Sequence, residues 1–122
     1  MLDHVDFGVM DLQASSRFFE RALAPLGITI LTQGPHGTGF GANGSPCMFL
    51  APTSAVPTPM HLAFTAKSHA EVSAFHQAAL EAGGKDNGQP GLRPHYHPTY
   101  CAAFVIAPDG HNIEAVCHGA EA

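Results

Sequence analysis

Three residues in this sequence have the types and the setting to hold a metal ion: His4, His61 and Glu114. Glu114 sits in Ala107–Val116 (APDGHNIEAV), where a Pro-Asp-Gly turn leads into an apolar strand. A carboxylate buried in such a strand is costly unless it is paired, hydrogen-bonded or bound to a cation; the bland alternative is that it points to solvent. His4 and His61 each stand near the start of an apolar stretch, LDHVDFGV and MHLAF. Two imidazoles and one carboxylate leave coordination positions open, as in non-haem iron and catalytic zinc sites. An ion held in that way can polarise a substrate oxygen, or bind oxygen or water.

Those residues must be brought together by strands, and the pattern supplies them. Leu2–Val9 alternates, with Val5, Phe7 and Val9 on one face and His4, Asp6 and Gly8 on the other. Asp11 caps a helix through about Ala24, with an apolar stripe at Leu12, Phe18, Phe19, Ala22 and Leu23, and Pro25 ends it. Ile28–Gln33 reads as a strand, Gly34–Gly39 as a loop, and Phe40–Ala42 with Cys47–Ala51 as a hairpin turning on Asn43-Gly44. The unit is βαβββ. After the proline-rich APTSAVPTP the pattern restarts: a shift of 57 residues lays His4 on His61, Phe7 on Phe64, Phe18 on Phe75 and Gly27 on Gly84. The second helix opens on a capping box of Ser68 and Glu71. The closing hairpin, Tyr100–Ile106 and Asn112–Cys117, matches the first only at a shift of 66, so nine residues are inserted in Asp86–Thr99, a stretch without helical or strand period. At that shift Glu114 falls on Met48, or a near neighbour, and the first unit lacks the carboxylate.

The expected architecture is a single α+β domain over residues 1–122, of two βαβββ modules whose half-barrels form a cup or barrel of mixed sheet. Module one spans about 1–51, the linker 52–59, and module two about 60–118. The chain is long enough for one core that a homodimer would extend. At 45% hydrophobic and 12% charged residues it is neither disordered nor, lacking a run of about 18 apolar residues, membrane-spanning. Its net charge of −5 with five Lys plus Arg leaves no stripe for nucleic acid. No leader pattern follows Met1, and three cysteines without CxxC spacing read as reduced thiols, so a cytoplasmic setting is expected. The nine histidines outnumber all cations and point to metal or proton chemistry.

The opening DHVDFGVMDLQASSRFFERAL, the restart MHLAF and the closing FVIAPDGHNIEAV together resemble the vicinal oxygen chelate superfamily of glyoxalases, bleomycin-resistance proteins and extradiol dioxygenases. The resemblance covers essentially the whole chain. It implies paired βαβββ modules forming a cup around one divalent metal (Zn, Fe, Ni or Mn), with His4, His61 and Glu114 on three metal positions. It implies Lewis-acid chemistry of a lyase or isomerase on a small oxygenated substrate, with an extradiol-type dioxygenase or a non-catalytic small-molecule binder as alternatives. Each subfamily pattern is broken somewhere: the fourth glyoxalase ligand is missing near Met48, and the extradiol tyrosine is replaced by Phe104.

Around the metal set, Tyr100 and His97 are the candidate acid or base. Arg93 could hold an anionic group, with His95, Tyr96, Asp6 and Met48 completing a substrate pocket. His36, His69 and His118 are expected at the surface, His76 at the surface or an interface, and His111 in a structural role.

Overall fold

The computed structural model describes residues 1–119; residues 120–122 lie outside that range. In chain order the elements are β1 (Val5–Val9), α1 (Leu12–Leu23), β2 (Thr29–Gly34), β3 (Gly37–Ala42), β4 (Ser45–Pro52), β5 (His61–Thr65), α2 (His69–Glu81), β6 (Lys85–Leu92), β7 (Cys101–Ile106) and β8 (Asn112–Cys117). Both helices start where the sequence caps them. Asp11 accepts from the Ala14 N–H at 3.0 Å, and Ser68 accepts from the Glu71 N–H at 3.1 Å while Glu71 reaches back to the Lys67 N–H at 2.8 Å. Past α1 the chain tightens into a single 3₁₀ turn around Pro25 and leaves through Gly27, whose φ of 80° is left-handed. The Asn43-Gly44 turn has φ of 53° and 73°, the left-handed pair that a two-residue hairpin demands.

Each module makes its own four-stranded mixed sheet, ordered β1-β4-β3-β2 and β5-β8-β7-β6, with the first and last strands parallel. Helices α1 and α2 pack on each other and over the sheets, around a core that includes Phe7, Phe18, Phe19, Phe40, Phe75 and Ile113. At the seam His111, 1% exposed, accepts the Met60 N–H on Nδ1 at 3.0 Å and lies edge-on to Phe7, while Asp109 accepts the Met10 N–H at 2.7 Å. His111 is structural, as expected. Among the described residues no helix is long and apolar enough to cross a membrane.

Three expectations are corrected and a fourth is narrowed. The two sheets are not closed into a barrel: β1 and β5 are both edge strands, and no ladder joins them. The inserted stretch is half strand, because β6 runs through Leu92; Gly88, Pro90 and Gly91 break its period and its ladder, with register shifts at Gly88 on either side. His76 is buried rather than at the surface, and its Nε2–H donates to Asp86 at 2.9 Å, tying α2 to β6. Finally, the strand ladders pair Asp6 with Phe49 and Ala63 with Glu114, so the module-one equivalent of Glu114 is Phe49. A register shift after Phe40 in the first hairpin absorbs the extra residue, and Met48 turns into the core at 0% exposure.

Candidate active site

Glu114 is held in the middle of β8 between β5 and β7, opposite Ala63 and Phe104. Its alternation puts it on the face shared with Asn112, away from Ile113 and Ala115, which go to the core. It is 1% exposed. An isolated carboxylate there would be strongly destabilising, and both oxygens are satisfied. His61 Nε2–H donates to Oε1 at 2.8 Å, and the Tyr100 hydroxyl donates to Oε2 at 2.5 Å. The imidazole itself is about half exposed, so the pair presents one open face to solvent.

Tyr100 comes from the end of the long β6–β7 connection, which curls into a compact turn. The Arg93 N–H donates to the Tyr100 carbonyl at 2.7 Å, and Tyr96 and His97 both donate to the Arg93 carbonyl. Desolvation first, and then the Glu114 carboxylate, push the Tyr100 pKa up to about 12. The phenol therefore stays protonated at neutral pH and serves as a donor, not a base. Beside this cluster lies a cavity of about 480 Å³ lined by His61, Asn87, Arg93, Tyr96, Phe104 and Asn112.

The other residues expected at the site go elsewhere. His4 precedes β1 on the other sheet, with its ring edge-on to Phe49 at 5.4 Å. Asp3 accepts from its Nδ1 at 2.7 Å and Asp6 stands 3.8 Å from Nε2; the Asp3 bond, with the two negative charges, raises the His4 pKa despite some desolvation. His4 lines a separate cavity of about 540 Å³, shared with Cys47 and β5, where burial pushes the Cys47 thiol up and away from nucleophilic use. Among the described residues no group of three or more His, Cys, Asp or Glu is placed so that it could hold a metal ion. His97 is exposed and accepts from Thr99 within its own turn, and His95 is exposed against Tyr96. Asn87, Phe104 and Asn112 line the His61 cavity although they were not singled out as site residues; Asn112 was legible by alternation, two positions before Glu114.

A family model described as the Glyoxalase/Bleomycin resistance protein/Dioxygenase superfamily matches residues 1–115. The chain belongs to that superfamily. A glyoxalase/bleomycin resistance protein from Albidiferax ferrireducens T118 is similar at 27% identity and a TM-score of 0.82, covering 96% of this chain and 98% of that one. A family enzyme from Burkholderia phytofirmans PsJN shares the fold at 16% identity and a TM-score of 0.74, over 96% and 98% of the two chains. So does the oxidase ChaP-H2, at 22% identity and a TM-score of 0.70 over 96% and 92%. No curated protein matches by sequence. Within this glyoxalase-type fold, the His61–Glu114–Tyr100 cluster lies on the exposed face of the second sheet.

The donors present suit a divalent cation in part. His61 Nε2 and Glu114 Oε1 converge at 2.8 Å, and this nitrogen and oxygen are the two atoms that would hold a cation if the proton they share were displaced. Tyr100 engages the oxygen that His61 leaves free, as an outer partner of a ligand does.

Proposed function

We propose that this protein is a metal-dependent enzyme of the glyoxalase-type superfamily, acting on a small oxygenated substrate as a lyase or isomerase. The observation that carries the reading is the buried Glu114 carboxylate, shared between His61 and Tyr100 beside a small-molecule-sized cavity. His61 and Glu114 supply two ligands, and His4 of a second copy supplies the third, which accounts for the uncovered sheets and for the separation of His4 from the other two. A divalent cation held there would supply Lewis-acid polarisation of a substrate oxygen. The residues of the chain do the rest. To hold a cation through Nε2, His61 would be neutral with its one proton on Nδ1, so the proton it now donates to Glu114 would pass to solvent as Nδ1 keeps or takes up its own. Tyr100 keeps Glu114 turned toward His61 and offers a hydroxyl proton but no base. Phe104 and Tyr96 wall the cavity and exclude water from one side.

Elemental analysis of tag-free protein tests this. About one metal ion per chain is expected in the wild type, and almost none in His61→Ala with an unchanged circular dichroism spectrum. Unchanged metal in His61→Ala would sink the ligand assignment, and a wild type without metal after reconstitution would leave a non-catalytic binder. The second-copy assignment has its own check. Co-refolding His4→Ala with Glu114→Ala chains would restore about one site in four if the site spans two copies of a C₂ dimer, and none if it lies within one chain.

A further inference from the structure

The cavity beside His61 also carries information about what enters it. We infer that it is built for a small, flat organic carboxylate, whose anionic group is received by Arg93 and Asn112. The inference rests on reading this cavity as the substrate pocket. Arg93 is one of five Lys plus Arg in the chain and the one cationic lysine or arginine among the residues lining the cavity. It is pinned, yet not by an acid: Nη1–H donates to the Gly91 carbonyl and Nη2–H to the Gln89 carbonyl, each at 2.8 Å. A guanidinium has five N–H donors, so three have no protein partner among the described residues. The group lies 5.4 Å from the centre of the Phe104 ring. Gly88 makes that packing possible: a Cβ there would stand 2.8 Å from Phe104 Cδ1 and 3.1 Å from Arg93 Nη2.

The other polar groups agree in sign. Asn87 Nδ2–H donates to Asn112 Oδ1 at 3.1 Å, which uses the acceptor of Asn112 and leaves its amide N–H groups as donors. No carboxylate is among the lining residues, and the two acids next to them are already engaged: Glu114 by His61 and Tyr100, and Asp86 by His76, Gln89 and the Gly88 N–H. What remains is a donor-rich floor beside the Phe104 and His61 rings, which touch at 6.0 Å between centres with their planes tilted by 49° and give the cavity an aromatic side. An organic cation at the Arg93 end would meet the guanidinium without compensation, and a neutral ligand would leave its charge unused. A planar carboxylate matches the guanidinium fork.

The test uses chelator-treated, metal-free protein, so that loss of metal binding and loss of anion binding are read separately. The probes are benzoate, its neutral isostere benzamide, and inorganic phosphate, followed by NMR of the Asn87 and Asn112 side-chain amides and Arg93 Nε. Benzoate is expected to shift these signals with a Kd on the order of 1 mM. Benzamide should bind at least about tenfold more weakly, and Arg93→Gln should weaken benzoate by a similar factor, with Arg93→Lys between. The wild-type shift map stands even if Arg93→Gln loosens the hairpin. Signals unmoved by benzoate, equal affinity for benzamide, or full affinity in a folded Arg93→Gln would overturn the inference, and phosphate binding more tightly than benzoate would overturn the choice of carboxylate.

Discussion

The two modules place a histidine at matching positions, His61 opening β5 and His4 one residue ahead of β1, and surround it with opposite chemistry. In module two His61 faces Glu114, and in module one His4 faces Phe49, the residue at the equivalent rung. The β2–β3 hairpin of module one is closed by Pro35-His36 alone, whereas its counterpart β6–β7 in module two has an eight-residue connection that delivers Arg93, Tyr96 and Tyr100. One copy of the fold keeps an aromatic contact, and the other has a buried acid with two donors. The duplication thus builds one buried acid with two donors per chain, in module two, and leaves the module-one histidine with an aromatic neighbour instead.

The comparison can be broken most strongly at Glu114. Replacing it with Leu makes module two resemble module one, and metal retention should fall by more than about 100-fold, beyond what loss of an outer partner causes. In the metal-free protein the same substitution leaves the His61 N–H and the Tyr100 hydroxyl without their acceptor, so urea unfolding should show a loss of about 1–3 kcal/mol; unchanged stability would mean that water replaces the carboxylate at both donors. A smaller effect is expected from Tyr100→Phe, which removes one donor and keeps the ring. Metal affinity measured by competition with a chelating dye should drop about 10- to 100-fold, and an unchanged affinity would reduce Tyr100 to packing.

Phe49→Glu runs the comparison in the other direction. An acid beneath His4 should raise the pKa of that imidazole further, as followed by NMR titration; no change would confine the equivalence of Phe49 and Glu114 to the backbone. The smallest effect belongs to a bond that module two alone possesses, His76 to Asp86. That hydrogen bond, with those from Gly88 and Gln89, lowers the Asp86 pKa from 3.8. A depressed folded pKa stabilises above the unfolded value and loses that contribution as pH falls through the folded one. The gap in melting temperature between wild type and Asp86→Asn should therefore be constant near neutrality and shrink below about pH 4.

Much of the fold was legible because local signals agreed with the duplication: the caps at Asp11 and Ser68, the Asn43-Gly44 turn and the alternation around Glu114. Strand β6 was not, because glycine and proline in a bulged edge strand look like loop. The identity of Glu114's counterpart slipped by one residue since a bulge is silent in the sequence and moves every later side chain to the opposite face. His76 was misplaced because its partner, Asp86, lies across a helix–strand packing that periodicity does not reveal. At the site, alternation found His61 and Glu114, and composition found Arg93 and Tyr100. The separation of His4 depends on how two sheets sit edge to edge, which no strand pattern encodes.

The seam between the modules also supplies a clock. Since His111 Nδ1 accepts the Met60 N–H, the ring proton sits on Nε2, 3.4 Å from the Gly8 carbonyl and sealed from solvent. With the ring 1% exposed, that proton reaches water through an opening of the structure around it. Its exchange rate in heavy water therefore reports how often the seam opens, and comparison with the exchange of core amides in each sheet tells whether the seam opens before either module unfolds.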